Sequence, residues 1–95
     1  MKTFEDLEFV GAPFHSGSQA QLTFENGYGV SVISGDMAYS DEENPYEVAV
    51  LYNGSLCYNT HITDDVLGYQ TEEQVTKVMR KVQELEVEVK SSVKK

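Results

Sequence analysis

The stretch that decides the fold is Gln19-Ala-Gln-Leu-Thr-Phe-Glu-Asn-Gly-Tyr-Gly-Val-Ser-Val-Ile-Ser34. Apolar and polar residues alternate up to Glu25 and again from Tyr28, a period of two that is typical of half-buried strands. Between them lies Asn26-Gly27, a strong hairpin signal, because both central residues of a type I′ turn need a positive φ. The stretch therefore predicts a β-hairpin, and mid-strand Gly29 predicts either a bulge or a closely packed neighbour.

A second hairpin follows. The segment 46–52, Tyr-Glu-Val-Ala-Val-Leu-Tyr, is apolar at nearly every position, which predicts a central strand covered on much of both faces. Asn53-Gly54 repeats the turn signal, and Ser55 to Thr60 is the expected fourth strand. Residues 19–60 are thus predicted to form a four-stranded antiparallel meander.

A helix is predicted over residues 71–90. Thr71-Glu-Glu-Gln74 is a capping box, and apolar residues then recur at helical spacing, at Val75, Val78, Met79, Val82 and Leu85. Residues 91–95 are expected to fray. Residues 1–18 are interpreted as a helical turn or edge strand followed by a loop. The chain is predicted to be a single α+β domain with the helix packed on one face of the sheet.

Composition limits the function. The 95 residues carry 7 basic and 16 acidic side chains, a formal net charge of −9, and a single cysteine. This charge argues against direct binding to nucleic acid or anionic lipid. A lone cysteine favours a reducing compartment, and no apolar segment reaches membrane-spanning length. We therefore expect a small, soluble, cytoplasmic protein.

The acidic residues are unevenly placed, since residues 1–76 hold thirteen of the sixteen but only one base, Lys2. In a meander, alternate connections lie at opposite ends of the sheet. The two Asn-Gly turns should share one end, and the 35–45 and 61–71 connections should share the other, where the helix begins. We call this second end the acidic pole; its predicted members are Asp36, Asp41, Glu42, Glu43, Asp64, Asp65, Glu72 and Glu73.

The acidic pole has two interpretations. A local field of one sign would steer a basic partner and raise its association rate. Alternatively, the acids only keep the domain soluble, with Asp64 and Asp65 in local turn hydrogen bonds and Glu72 and Glu73 serving the helix dipole. The spacing is not that of a calcium-binding EF-hand loop, so no metal site is predicted. Tyr39 and Tyr69 are candidate anchors beside the pole, although Tyr69 also fits a hydrophobic staple at the helix entry.

Catalytic patterns are weak. Cys57 and His61 lie four residues apart, and a strand would separate them by roughly 13 Å, so Cys57 is expected to be a half-buried structural residue. Gly27-Tyr-Gly29 opens a strand rather than a helix and carries no lysine, so it is not a phosphate loop. No catalytic residue and no cofactor are predicted.

Residues 24–85 resemble a group of small bacteriophage proteins. The matching stretches begin at Phe24-Glu-Asn-Gly-Tyr-Gly, Tyr46-Glu-Val-Ala-Val-Leu and Leu56-Cys-Tyr-Asn-Thr, and Thr63-Asp-Asp-Val-Leu-Gly-Tyr69 is the most specific of them. The resemblance implies a phage accessory protein without enzymatic activity or cofactor. Small acidic phage proteins of this size often inhibit host defence, anti-CRISPR and anti-restriction proteins among them, an analogy of size, charge and origin.

The resulting hypothesis is a phage inhibitor in the cytoplasm of the infected bacterium. Its acidic pole would cover the basic groove of a host protein or ribonucleoprotein complex, such as a CRISPR effector. Two alternatives stay open. One is a self-associating structural or regulatory protein, a homodimer built through a sheet edge or through the helix stripe extended by Val87, Val89 and Val93. The other is an oligomer that sequesters a small ligand between protomers.

Overall fold

The computed structural model describes residues 1–11, 17–35, 38–57 and 66–85. They form a small α+β domain with an antiparallel sheet and one helix, as predicted. The prediction of four strands is wrong, because shorter strands extend the sheet. The elements are a 3₁₀ turn at Phe4–Asp6, β1 (Val10–Gly11), β2 (Gly17–Thr23), β3 (Tyr28–Gly35), β4 (Tyr46–Tyr52), β5 (Ser55–Leu56), β6 (Leu67–Gln70) and α1 (Glu72–Gln83).

The sheet has the order β1-β2-β3-β4-β5, and β6 also pairs with β4. Two short strands therefore share the outer edge of β4: β5 lies opposite Leu51 and Tyr52, and β6 opposite Tyr46 and Val48. The fourth strand was predicted to continue to Thr60, but residues 58–60 lie outside the described part of the chain.

Strand β6 corrects the prediction that 61–71 is only a connection. Its register with β4 shifts between Tyr46 and Val48, as at a β-bulge. Tyr69 adopts a φ of 56°. Leu67–Gln70 is too short to establish an alternating pattern and includes a glycine, so the local sequence does not reveal this strand.

The two Asn-Gly turns differ. Asn53 and Gly54 have φ values of 52° and 83° in a two-residue loop, so the type I′ prediction is confirmed there. At the first hairpin it is wrong, because only Gly27 has a positive φ, of 88°. The Gly27 N–H donates to the carbonyl of Phe24 (3.0 Å), which gives a three-residue loop with glycine in the left-handed position.

The side chain of Asn26 explains the difference, because it holds the end of α1. Its Nδ2 donates to the carbonyls of Val82 (2.9 Å), Gln83 (3.3 Å) and Leu85 (2.9 Å). Its Oδ1 accepts from the N–H of Tyr28 (3.0 Å). Carbonyls at a helix end have no partner within the helix, so this amide satisfies them from the neighbouring hairpin.

The start of α1 is as predicted. The Thr71 hydroxyl accepts from the N–H of Gln74 (3.2 Å), and the Gln74 side chain accepts from the N–H of Thr71 (2.9 Å). The apolar stripe is buried against the sheet, with Val75, Met79 and Val82 each at 0% exposure. The helix was predicted to extend to residue 90; α1 ends at Gln83, and residues 86–95 lie outside the described part.

The N-terminal segment contains both of the predicted alternatives, a helical turn and then a short strand. It lies along α1, since the N–H of Phe4 donates to the Thr76 hydroxyl (3.0 Å). Phe4 also packs against Phe9 and Tyr46, with ring centroids 5.6 and 5.0 Å away. This cluster closes the core beside the first turn of α1.

Candidate functional site

The two ends of the sheet are arranged as the meander requires. The Asn53 N–H donates to the carbonyl of Gly27 (3.0 Å), so both Asn-Gly turns meet at one end, as predicted. At the other end Tyr46, which follows the 38–45 loop, pairs with Gln70, which directly precedes the Thr71 cap. The loop and the helix start therefore meet at the acidic pole.

Tyr39 and Tyr69 are held side by side at this pole. The Tyr69 N–H donates to the carbonyl of Tyr39 (2.8 Å), and the Tyr39 N–H donates to Oε1 of Glu47 (2.8 Å). The main chain of Tyr39 also lies directly on Gly68, where a Cβ atom would come within 2.7 Å of the Tyr39 Cβ. Loop and strand are thus locked together through their backbones.

Both tyrosine side chains point to solvent. Tyr39 is 64% exposed and Tyr69 is 54% exposed. The staple alternative for Tyr69 is wrong, because Gln70 holds the position before the cap and Tyr69 does not pack on the core. The positive φ of Tyr69 is unusual for an aromatic residue, and it directs this side chain outward.

The acids of the 41–43 segment have different roles. Oδ1 of Asp41 accepts from the N–H groups of Glu43 (3.0 Å) and Asn44 (2.7 Å), so this carboxylate shapes its own loop. Glu42 and Glu43 are exposed, and the side chain of neither bonds to another residue of the described ranges. Of the three, Glu42 and Glu43 are therefore available to a partner.

The helix start adds two exposed carboxylates, Glu72 and Glu73, in the first turn of α1. Burial, and then the negative charge of Glu72, raise the pKa of the Tyr46 hydroxyl above its ordinary value. The charge of Glu72 thus acts on the side chain of Tyr46, the first residue of β4. Because Tyr46 pairs with Gln70, the start of α1 and the end of the 38–45 loop lie at the same end of the sheet.

Three basic residues lie further along α1. Lys77, Arg80 and Lys81 are exposed on the later turns of α1. Cations suit this position, because the C-terminal half of a helix carries the negative end of its dipole. Helix α1 thus begins with acidic residues and carries basic ones on its later turns.

Glu47 is a member of the site that sequence reasoning missed. It lies within β4, where its charge predicts only an outward-facing strand residue, and its contact with Tyr39 depends on how the 38–45 loop folds back. Asp36, Asp64 and Asp65 lie outside the described residues, as do His15 and His61. Cys57 is half-buried against the core, as predicted.

The described residues give little support for a metal centre or for an enclosed ligand pocket. No three metal-ligating side chains converge within residues 1–11, 17–35, 38–57 and 66–85. A groove of about 770 Å³ lies at the hairpin end, open to solvent and lined by charges of both signs from Lys2, Asp6 and Glu25.

In the part of the chain that the structure describes, no helix is both long enough and apolar enough to cross a membrane.

Comparison of the chain with protein-family models, curated proteins and solved structures finds no match. The resemblance to phage proteins therefore stays a hypothesis.

Proposed function

We propose that this protein is a binding inhibitor that docks its acidic pole onto a basic surface of another macromolecule. The observation that carries the proposal is the exposed pair Tyr39 and Tyr69, which a backbone hydrogen bond joins. Glu42 and Glu43 are exposed in the same loop as Tyr39. Residues that are exposed and already ordered are well suited to binding, because ordering them on binding would cost free energy. The hydrogen bond from the Tyr69 N–H to the Tyr39 carbonyl already fixes the backbone of this pair, which lowers the entropy lost on binding.

The chemistry of this surface suits arginine. A guanidinium group forms bidentate hydrogen bonds with a carboxylate and stacks on an aromatic ring. Glutamates and tyrosines within one region offer both contacts, and tyrosine is enriched among residues that dominate binding energy. The field of the pole would also steer a basic partner toward it, with strong dependence on salt.

The proposed target is a nucleic-acid-handling complex of a bacterial host, such as a CRISPR effector, met in the cytoplasm during phage infection. Carboxylates would take the place of phosphates in a groove that normally holds nucleic acid. Such a mimic needs no catalytic group and no cofactor. The phage origin and the defence target rest on the resemblance and on the analogy with small acidic inhibitors.

The test is a plaque assay on bacteria whose CRISPR system targets the infecting phage. Expression of the wild-type chain should raise plaquing, and the double variant Glu42→Lys with Glu43→Lys should lose that effect. Asp41 is left unchanged because its carboxylate shapes the loop. Circular dichroism and urea unfolding check that the variant is folded.

The matched control is Glu25→Lys with Glu84→Lys, two exposed glutamates in the Asn26 turn and at the end of α1. Both double variants change the formal net charge of −9 by the same amount. Retained inhibition in the control and lost inhibition at Glu42 and Glu43 support the pole. Equal loss in both would mean that only net charge matters, and no loss in either would contradict the proposal.

Self-association is the second candidate, and the described helix stripe argues against one of its two routes. Val75, Met79 and Val82 are fully buried against their own sheet, so these residues are not available to a second copy. Val87, Val89 and Val93 lie outside the described residues. A sheet-edge dimer would give twice the 10.7 kDa mass in light scattering, insensitive to salt.

A further inference from the structure

The two Asn-Gly turns place the same reactive pair in opposite environments. An asparagine followed by glycine can lose its side-chain amide when the next backbone nitrogen attacks the side-chain carbonyl carbon. The reaction needs an attacking nitrogen that is not hydrogen bonded, an amide that can leave and room for the ring to close. Asn26 and Asn53 differ in the first two of these requirements.

At Asn26 the structure opposes the reaction twice. The leaving group, Nδ2, donates to the carbonyls of Val82, Gln83 and Leu85. The attacking nitrogen would be that of Gly27, whose N–H donates to the carbonyl of Phe24 (3.0 Å). These bonds would have to break before the ring could close, and each slows the reaction by up to roughly tenfold.

At Asn53 neither protection is present. The side chain is exposed, and its amide bonds to no other residue of the described ranges. Within those ranges the N–H of Gly54 is also unbonded. The chain around Gly54 is also open, since no atom beyond its two neighbours in sequence lies within 4 Å of the Cβ position there.

We propose that Asn53 is a site of spontaneous deamidation in the folded protein and that Asn26 is protected by the end of α1. The Gly54 nitrogen gives its proton to a solvent base and attacks Cγ of Asn53. The Cγ–Nδ2 bond breaks, and the amide leaves as ammonia after taking a proton from solvent. Water then opens the resulting succinimide, at one carbonyl to give aspartate and at the other to give isoaspartate.

The modification would change the turn between β4 and β5. Either product adds a negative charge at the end of the sheet opposite the acidic pole. Isoaspartate also lengthens the main chain by one methylene, which does not fit a two-residue type I′ loop. We expect the pairs Leu51–Leu56 and Tyr52–Ser55, which anchor β5, to loosen in that product.

The test is peptide mapping of the purified full chain after incubation at mildly alkaline pH. A glutamate-specific protease cuts after Glu25, Glu42, Glu47 and Glu72, so Asn26 and Asn53 fall in separate peptides. Mass spectrometry measures the exchange of amide for acid, and an isoaspartate-specific methyltransferase detects the isomer. We expect Asn53 to react at least about tenfold faster than Asn26 in the folded protein.

The same chain unfolded in urea is the matched control, because both asparagines precede glycine and should then react at similar rates. Asn53→Gln should remove the fast modification, since glutamine cyclises far more slowly. Equal rates at the two sites in the folded protein would overturn the proposal. A slow Asn53 in the folded chain beside a fast one in urea would overturn it equally.

Discussion

Gly68→Ala tests how the two exposed tyrosines are held, without any change in charge. The new Cβ atom would lie 2.7 Å from the Cβ of Tyr39 and 3.0 Å from its carbonyl oxygen. The carbonyl oxygen is part of the backbone and the Cβ atom is bonded directly to it, so neither can swing away as the tip of a side chain can. The 38–45 loop and β6 must therefore separate.

Two effects of Gly68→Ala should lower the free energy of unfolding. Overpacking of this kind costs about 1–3 kcal/mol, and losing the Tyr69 N–H bond to Tyr39 costs about 1 kcal/mol. The free energy of unfolding should fall by about 2–4 kcal/mol, a large share of the roughly 5–15 kcal/mol typical of a domain.

The assay is urea unfolding, with Gly11→Ala as the matched control. No atom lies within 4 Å of the Cβ position at Gly11, and its φ is not in the left-handed region. We expect that control to change stability by less than about 0.5 kcal/mol. Hydrogen exchange of the Tyr69 amide gives the local measurement and should accelerate only in Gly68→Ala. If Gly68→Ala matched the control in both measurements, the argument that Gly68 locks the tyrosine pair would be refuted.

Two further predictions separate fold from function. Asn26→Ala removes the amide that caps α1 and should lower the free energy of unfolding by about 2–4 kcal/mol; Asn26→Asp should cost at least as much, because a carboxylate cannot donate and faces the negative end of the helix dipole. Urea unfolding measures both, and a loss below about 0.5 kcal/mol for Asn26→Ala would refute the capping role. Tyr69→Gly relieves the strained φ of 56°, so stability should stay within about 1 kcal/mol while the plaquing effect is lost. Retained plaquing in that variant would show that Tyr69 is not an anchor.

Local patterns predicted much of the fold. Alternation located β2 and β3, a nearly continuous apolar run located β4, and the capping box located the first residue of α1, because these signals depend on neighbours within a few residues. The stripe of Val75, Met79 and Val82 correctly identified the buried face. Strand connectivity alone also predicted that the loop before β4 and the start of α1 share one end of the sheet.

The remaining features depend on contacts between distant segments. Strand β6 exists because β4 offers an edge to Leu67–Gln70, and nothing in those four residues alone encodes that pairing. The first Asn-Gly turn was assigned the wrong type because Asn26 bonds to a helix end 56 to 59 residues away. The contact between Glu47 and the Tyr39 N–H could not be predicted for the same reason, because it depends on how the 38–45 loop folds back.

The central claim is that the acidic pole with Tyr39 and Tyr69 is the binding surface. Its most direct test is hydrogen exchange of the chain, alone and in the complex captured from phage-infected bacteria. The account predicts slower exchange in the bound state over residues 38–47 and 67–73, with no change over residues 20–27 and 77–84. Slower exchange along β2 or the outer face of α1, with none at the pole, would contradict it.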